Sequence, residues 1–337
     1  MLKHGGMVSA FFSLLICLLL TASCNVGPVS QAGGTMQGSP RGAKDKDSFP
    51  YAFTDSTGRE ITLEKKPEKV AVLFSSYADI WTTAGGSVDI TVGEAIERGF
   101  AEKGTVLVDA TGHSSIDLET LVASKPDLVI GTADYEAQVQ ACQFTSSAGI
   151  PSALFKVDSF DDYLAMLKIC CDITGNEEGY TTYGLKVSQR IDALMDEIKD
   201  YAPSEDAMDI LFIRAGSTSK STKAKTSEDN FACAMLKELK TNNIADSDKV
   251  LLDNLSLETI VSENPDYIFI TTMGDEASAK AYIKDLFSQN GWKELSAVKS
   301  SSYTFLPKEL FHYKPNSRWA EAYEYLIKLL YPELKID

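Results

Sequence analysis

Short apolar runs alternate with amphipathic, helix-like segments along most of the chain. The runs are rich in Val, Ile, Leu and Phe, and they lie at residues 70–74, 106–108, 128–130, 153–155, 209–213, 250–252, 267–270 and 303–306. Apolar strands that alternate with helices are typical of parallel sheets covered by helices on both faces. The pattern therefore predicts an α/β fold with one mainly parallel sheet in each half of the chain.

A longer amphipathic segment separates the two series of runs. Its apolar positions follow one another at steps of four, four, three and four residues: Tyr183, Val187, Ile191, Leu194 and Ile198. This spacing places them on one face of an α-helix, which we expect from residue 176 to about 201. A final helix is predicted over residues 315–330. Residues 217–230, which are rich in Ser, Thr and Lys, are predicted to form a mobile loop.

The two halves of the chain contain a repeated segment. Residues 118–130 (LETLVASKPDLVI) and 257–269 (LETIVSENPDYIF) share six identical positions at a constant offset of 139. Each copy follows a similar apolar run that ends in Asp, so the same strand, helix and strand unit is predicted in each half. Pro-Asp before a strand is a common helix ending, but that explanation does not account for the matching Glu119 and Glu258.

The N-terminal region has the composition of a lipoprotein export signal. Lys3 precedes an apolar run at residues 8–20, which is followed by Thr-Ala-Ser and then Cys24. An apolar run of about 13 residues is shorter than the roughly 20 that cross a bilayer as a helix, so a transmembrane anchor is the weaker alternative. We predict a signal cleaved before Cys24, lipid on that cysteine, and a flexible Gly, Ser and Pro-containing tether after it.

Composition and motifs argue against several classes of function. The chain has 32 basic and 48 acidic residues, a net charge of −16, so nucleic acid is not an expected partner. No metalloprotease, serine hydrolase or nucleotide-binding motif occurs, and three histidines do not suit a histidine-rich metal site. We therefore predict a protein that is not an enzyme and has no cofactor. The cysteines after Cys24 lack metal-site spacing and are expected to be buried thiols, although an exported protein could pair two of them in a disulfide: Cys142, Cys170, Cys171 and Cys233.

The sequence resembles the ABC-importer binding proteins for iron siderophores, haem and cobalamin over about residues 50–332. The resemblance rests on FTDSTGREITL and PEKVAVL within residues 53–73, on residues 116–130, and on Thr174-Gly175 ahead of the long helix. It implies two Rossmann-like lobes joined by one rigid spine helix, with a ligand cleft between them. The expected division is a lipoprotein signal peptide, a tether, an N-terminal α/β lobe, a helical region with the spine, and a C-terminal α/β lobe, at residues 1–24, 25–49, 50–158, 159–201 and 202–337.

The resemblance also implies a role for the paired glutamates. In that family an acidic residue on each lobe pairs with arginines of the permease, and the matching positions are Glu119 and Glu258. Two carboxylates set apart on a rigid body orient a partner by charge complementarity. Each Glu also lies in a predicted first helical turn, where it would stabilise the helix dipole. Their equivalence in the repeat favours permease docking.

Several polar and aromatic residues lie in the predicted loops that follow strands, where α/β proteins bind ligands. The candidate ligand-binding residues are Tyr77, His113, Tyr135, Arg214, Met273, His312 and Tyr313. Arginine would neutralise an anionic chelate, aromatic rings would cover its flat faces, and His, Tyr or Met could ligate a haem iron. Any one of them could equally have a surface or packing role, so the prediction rests on the set.

These expectations predict an exported, lipid-anchored monomer that captures an iron chelate, or a related haem or corrinoid, and delivers it to an ABC permease and its ATPase. An iron siderophore ranks ahead of haem because Arg214 and the tyrosines suit an anionic, partly aromatic chelate. Cobalamin and an oxyanion such as molybdate follow. The alternative is a ligand-sensing or adhesive surface lipoprotein with the same lobes, and an enzyme is a weaker third.

Overall fold

The computed structural model describes residues 49–109, 115–199, 207–247 and 256–336. These residues form two α/β lobes, each built on a sheet whose central strands are parallel, with a long helix between them in the sequence. The predicted fold class, two mainly parallel α/β lobes joined by a long helix, is confirmed. The predicted strand at residues 250–252 and the whole N-terminal signal and tether lie outside the described residues.

The N-terminal lobe combines a hairpin with a parallel sheet. The antiparallel hairpin consists of β1 (Tyr51–Thr54) and β2 (Glu60–Leu63). The sheet has the order β5-β4-β3-β6-β7, with β3 (Val70–Val72), β4 (Ile90–Thr91), β5 (Val106–Leu107), β6 (Leu128–Thr132) and β7 (Ser152–Phe155). Its helices are α1 (Ser75–Thr83), α2 (Gly93–Glu97), α3 (Leu118–Ala123) and α4 (Glu136–Ser147). The chain runs outward from β3 to β5 and resumes at β6, so a topological switch point lies between β3 and β6.

The connecting region is mainly helical in its described part. It consists of α5 (Phe160–Thr174) and then a continuous rod of α6 (Glu177–Tyr180), a π turn (Thr181–Leu185) and α7 (Lys186–Ile198). Within the π turn, the backbone carbonyl of Tyr183 accepts a hydrogen bond from the Tyr163 hydroxyl at 2.9 Å. A Cβ at Gly184 would lie 2.8 Å from Leu164 Cδ1, so glycine permits the close approach of the rod to α5. The predicted long helix is confirmed, with a π turn that periodicity alone did not indicate.

The C-terminal lobe repeats the architecture around β8. Its sheet has the order β10-β8-β11-β12, and the strands are β8 (Asp209–Ala215), β9 (Lys223–Ala224), β10 (Asn242–Asn243), β11 (Tyr267–Thr272) and β12 (Tyr303–Phe305). The helices are α8 (Phe231–Glu238), α9 (Leu257–Glu263), α10 (Glu276–Ser288), α11 (Ser296–Lys299), α12 (Lys308–Phe311) and α13 (Trp319–Leu330). A second switch point lies between β8 and β11.

The segment at residues 217–230 differs from the prediction of a mobile loop. It contains a 3₁₀ turn (Ser219–Ser221) and β9, which pairs antiparallel with the end of β8. The buried Thr222 hydroxyl bonds both the backbone N–H and the carbonyl of Gly216, at 3.1 and 3.2 Å. The prediction was wrong because a polar sequence can still pair as an edge strand when its hydroxyls satisfy the neighbouring backbone.

Both sheets are buried on two faces, as continuous apolar runs require. Alternate residues of β8 point to opposite sides: Phe212 packs in a core shared with the N-terminal lobe and the connecting helices, and Ile213 packs in a separate outer core. The first sheet divides in the same way between Val72 and Ala71. The shared inner core is therefore continuous from one lobe to the other.

The sequence repeat has the same structure in both lobes. Asp127 Oδ2 accepts the backbone N–H of Lys69 at 3.1 Å, and Asp266 Oδ2 accepts that of Asp209 at the same distance. The backbone N–H of each aspartate also donates at 2.7 Å to the carbonyl of that residue, Lys69 or Asp209. Each Pro-Asp therefore holds the start of its lobe's first central strand, which gives the repeated aspartates a structural role.

The four cysteines after Cys24 are buried, as expected, and form no disulfide bond in the described structure: Cys142, Cys170, Cys171 and Cys233. Burial raises the pKa of the Cys142 thiol to about 12 and that of Cys171 to about 11, so both remain protonated near neutral pH. Among the described residues, no helix combines the length and apolar character needed to cross a membrane.

Candidate functional site

A cavity of about 790 Å³ opens between the two lobes. Residues at or just after the ends of β3, β6 and β7 line it from the N-terminal lobe, and residues at or after the ends of β8, β11 and β12 line it from the C-terminal lobe. Both switch points therefore face the cavity, which is where α/β proteins bind ligands. Its volume lies within the roughly 300–1,000 Å³ of small-molecule sites.

Arg214 and Thr271 form the polar centre of the C-terminal wall. They are register partners on β8 and β11, and both line the cavity. Thr271 is only 1% exposed, and among the described residues its Oγ1 has no hydrogen-bond partner. The buried Nε of Arg214 also lacks one. Because buried polar atoms are nearly always hydrogen-bonded, these two adjacent donors fit an oxygen-rich or anionic group of a ligand.

Thr271 was absent from the residues proposed from sequence, although the repeat contains a signal for it. At the offset of 139 its counterpart is Thr132, two residues beyond the matched segment. The Thr132 hydroxyl accepts the backbone N–H of Asp134 at 3.2 Å, so it is satisfied within its own lobe. The equivalent hydroxyl of Thr271 has no partner within the described part of the chain, and this asymmetry distinguishes the two lobes at the cleft.

His312 and Tyr313 lie together after α12 and line the cavity, as predicted. Burial, reinforced by the positive charges of Lys308 and Arg214, lowers the pKa of His312 to about 4. The imidazole is therefore neutral near pH 7 and can accept a hydrogen bond or ligate a metal. The guanidinium carbon of Arg98, from the N-terminal lobe, lies 3.9 Å from the centroid of the Tyr313 ring.

Tyr135 and Met273 complete the predicted residues that reach the cavity. Tyr135 is 47% exposed, and its ring meets Phe74 edge-on with centroids 5.7 Å apart. Burial and the negative charges of Asp134 and Glu94 raise the pKa of Tyr135, so it remains a neutral phenol. These side chains provide an aromatic and polarizable surface beside the charged groups.

One of the predicted ligand-binding residues does not line the cavity, and another lies outside the described residues. Tyr77 is fully buried within α1, and its hydroxyl donates to the Phe155 carbonyl at 3.1 Å. The loop expected after β3 is shorter than predicted, because α1 begins at Ser75 and turns Tyr77 into the core. Tyr77 is therefore corrected to a packing residue. His113 lies outside the described residues.

Polar contacts join the lobes at the edge of the cavity. Lys314 Nζ donates to Asp158 Oδ1 at 3.0 Å, and Asn316 Nδ2 donates to the Ser76 carbonyl at 2.7 Å and to Asp79 Oδ2 at 2.8 Å. Burial raises the pKa of Asp79 despite the opposing hydrogen bond from Asn316. Burial also disfavours the ionised form of Asp158, but its lysine partners outweigh this effect and lower its pKa.

Glu119 and Glu258 lie apart from the cavity. Each is exposed and is the second residue of its helix, α3 or α9, so the repeat places them equivalently in the two lobes. No cluster of three or more His, Cys, Asp or Glu side chains in the described residues is arranged to hold a metal ion.

Comparison with known proteins identifies related sequences and folds. Residues 70–310 match the family described as periplasmic binding protein. An uncharacterized ABC transporter substrate-binding lipoprotein, YvrC of Bacillus subtilis (strain 168), is 26% identical over 341 residues, with 99% of each chain covered.

Solved structures share the fold at low sequence identity. Staphylococcus aureus SirA complexed with staphyloferrin B has a TM-score of 0.63 at 18% identity, covering 83% of this chain and 98% of that one. The periplasmic heme-binding protein RhuT from Roseiflexus sp. RS-1, in its apo form, has a TM-score of 0.62 at 16% identity, covering 80% and 99%. At these identities the similarity establishes the two-lobed fold.

Proposed function

This chain belongs to the periplasmic binding protein family, and from that premise we propose that it is the substrate-binding component of an ABC importer. In this role it captures a metal chelate or macrocycle outside the membrane and delivers it to a permease with its ATPase. The substrate-binding name of the Bacillus relative supports the transport role.

One observation carries the proposal: the cavity between the lobes joins the carboxyl ends of the central strands of both sheets. A ligand held there contacts both lobes, so its binding can be coupled to the geometry that a permease recognises. The cavity combines aromatic walls with a few convergent polar groups, which is the usual composition of a small-molecule site. The division of the chain at residues 50–158, 159–201 and 202–337 remains part of this proposal.

An iron siderophore is the leading ligand. Arg214 and Thr271 present buried donors to the cavity, and a chelate rich in anionic oxygens would accept hydrogen bonds from both. The rings of Phe74 and Tyr135 would cover its apolar face. The fold shared with SirA, which was solved with staphyloferrin B, is consistent with this class.

Haem is the second candidate, and the neutral His312 is the observation that favours it. The imidazole faces the cavity beside Tyr313, with Met273 also in the lining. Each of these side chains can ligate a haem iron. A siderophore already saturates its iron and needs no protein ligand, so the two classes make different demands on His312.

The visible absorption spectrum and metal content of protein purified from its native host would test the proposal most directly. Titrations with a ferric siderophore and with haem, on the wild type and on His312→Ala, then separate the two ligands. Tight siderophore binding that is unaffected by His312→Ala is the expected result. A Soret shift that His312→Ala abolishes would reverse the ranking, and loss with His113→Ala would assign the axial ligand there. Protein that binds neither ligand would direct the search to cobalamin and molybdate.

Anchoring and docking complete the proposed role. Lipid on Cys24 would hold the exported protein at the outer face of the membrane, where it acts as a monomer. The exposed Glu119 and Glu258 would then meet basic side chains of the permease, one on each lobe. A surface lipoprotein that senses ligands or mediates adhesion remains the alternative, and a neighbouring kinase or receptor gene in place of permease and ATPase genes would favour it.

A further inference from the structure

The two walls of the cleft differ in charge. On the N-terminal wall, the acidic side chains that line the cavity are Glu94, Glu97, Asp134 and Asp158. The basic residue on that wall, Lys156, pairs with Asp158 at 2.8 Å. Glu97 and Asp134 are exposed, and Lys156 is the one base among the described residues that line this wall, beside four carboxylates. This side of the cleft is therefore negative.

The C-terminal wall has its positive charge at the centre. Arg214, Lys308 and Lys314 line it, and Lys314 pairs with Asp158 of the opposite wall at 3.0 Å. His312, which also lines this wall, is neutral near pH 7. Of the acidic residues on this wall, Asp229 is paired with Lys225, and Glu228 is exposed. The buried hydroxyl of Thr271 lies beside Arg214 without a partner among the described residues. A ligand therefore meets hydrogen-bond donors and positive charge here.

Charges on both walls of the cleft influence the pKa of Tyr135. Burial and the charges of Asp134 and Glu94 raise its pKa, whereas the charge of Arg214 acts in the opposite direction. The phenol is thus close enough to both walls to be influenced by each. A ligand that fills the cavity would extend from the negative wall to the positive one.

We infer that the cleft is built for a dipolar ligand, which carries an anionic oxygen group at one end and a protonated amine at the other. A carboxylate accepts hydrogen bonds from Arg214 and Thr271, and the amine faces Glu97 and Asp134. A purely anionic chelate would satisfy the C-terminal wall but would be repelled by the N-terminal wall. This inference rests on the proposed function and specifies the substrate class of the same site.

Matched chelates test the two ends separately. The probe is a linear ferric trihydroxamate with a free amine at one end and a carboxylate at the other, compared by calorimetry with its N-acetylated form and its carboxamide form. N-acetylation is expected to weaken binding about fivefold, since exposed ion pairs are individually weak. Loss of the carboxylate is expected to weaken it about tenfold or more, because hydrogen bonds to charged groups are stronger.

Variants locate the amine subsite. In Glu97→Gln/Asp134→Asn the amine and acetylated chelates should bind equally, whereas the matched control Glu64→Gln, an exposed glutamate outside the cavity, should retain the fivefold difference. Equal binding of the amine and acetylated forms by the wild type would overturn the inference. So would a difference that persists in the double variant.

Failure of this inference can be distinguished from failure of the proposed function. If none of the three chelates binds but haem produces a Soret shift, the dipolar class is overturned and the transport role stands. If neither the chelates nor haem binds, both the inference and the iron-ligand assignment fall.

Discussion

Replacing Thr271 by Val tests whether its hydroxyl is reserved for the ligand. The substitution replaces a buried hydroxyl, which has no partner among the residues the structure describes, with a methyl group of similar size. A buried polar group without a partner costs about 1–3 kcal/mol. Thr271→Val should therefore raise the free energy of unfolding of the ligand-free protein by about 1 kcal/mol, or the melting temperature by roughly 1–2 °C for a chain of this size. Ligand affinity should instead fall about tenfold.

Thr91→Val is the matched control. Thr91 is also fully buried at the end of a central strand, but its hydroxyl donates to the Val72 carbonyl at 2.7 Å. The same change there removes a satisfied hydrogen bond and should destabilise the protein by about 1 kcal/mol without altering ligand affinity. Thermal unfolding and calorimetric titration measure both effects. If Thr271→Val destabilises as much as Thr91→Val and leaves binding unchanged, the hydroxyl has no role in the site.

Three other predictions follow from the sequence and the site. Cys24→Ala should leave the precursor unprocessed or release the protein from the membrane fraction; unchanged mass and membrane retention would reject lipidation. Glu119→Ala/Glu258→Ala should keep ligand affinity within about threefold, or roughly 0.7 kcal/mol, while uptake falls sharply; normal uptake would refute docking. His312 has a folded-state pKa of about 4 against an ordinary value of 6.5, so the unfolded chain binds more protons between these pH values, and stability should rise with pH across that window by up to about 3 kcal/mol. His312→Gln should flatten that rise in pH-dependent denaturant unfolding, and an unchanged slope would contradict the burial argument.

The sequence predicted the regular elements well where one physical pattern dominated. The strands at residues 70–74 and 267–270 were found because both of their faces are buried, so nearly every position is apolar. The long helix that ends at Ile198 was predicted because its core-facing side chains recur with the helix period. The two-residue strand β4 and the edge strand β9 were missed, since so short a segment has too few side chains to show a period.

The candidate site was predicted in part. Loop position placed Tyr135, Arg214, Met273, His312 and Tyr313 correctly at the cleft, because the carboxyl ends of parallel strands share one edge of the sheet. Tyr77 failed because the loop gave way to α1 within two residues of β3, and helix geometry then turned its side chain inward. Successive residues of an α-helix point about 100° apart, so the direction of the Tyr77 side chain depends on where α1 begins. Apolar patterning does not determine that starting residue.

The sequence by itself determined the alternation of strands and helices, the repeat and the residues at the strand ends, because these depend on periodicity and on local chain geometry. Only the tertiary structure decided which groups share the cleft and what state they are in. The neutral imidazole of His312, the orphan hydroxyl of Thr271 and the opposite charges of the two walls arise from side chains far apart in the sequence. Burial and Coulomb interactions depend on distance in space, and the order of residues along the chain does not contain that distance.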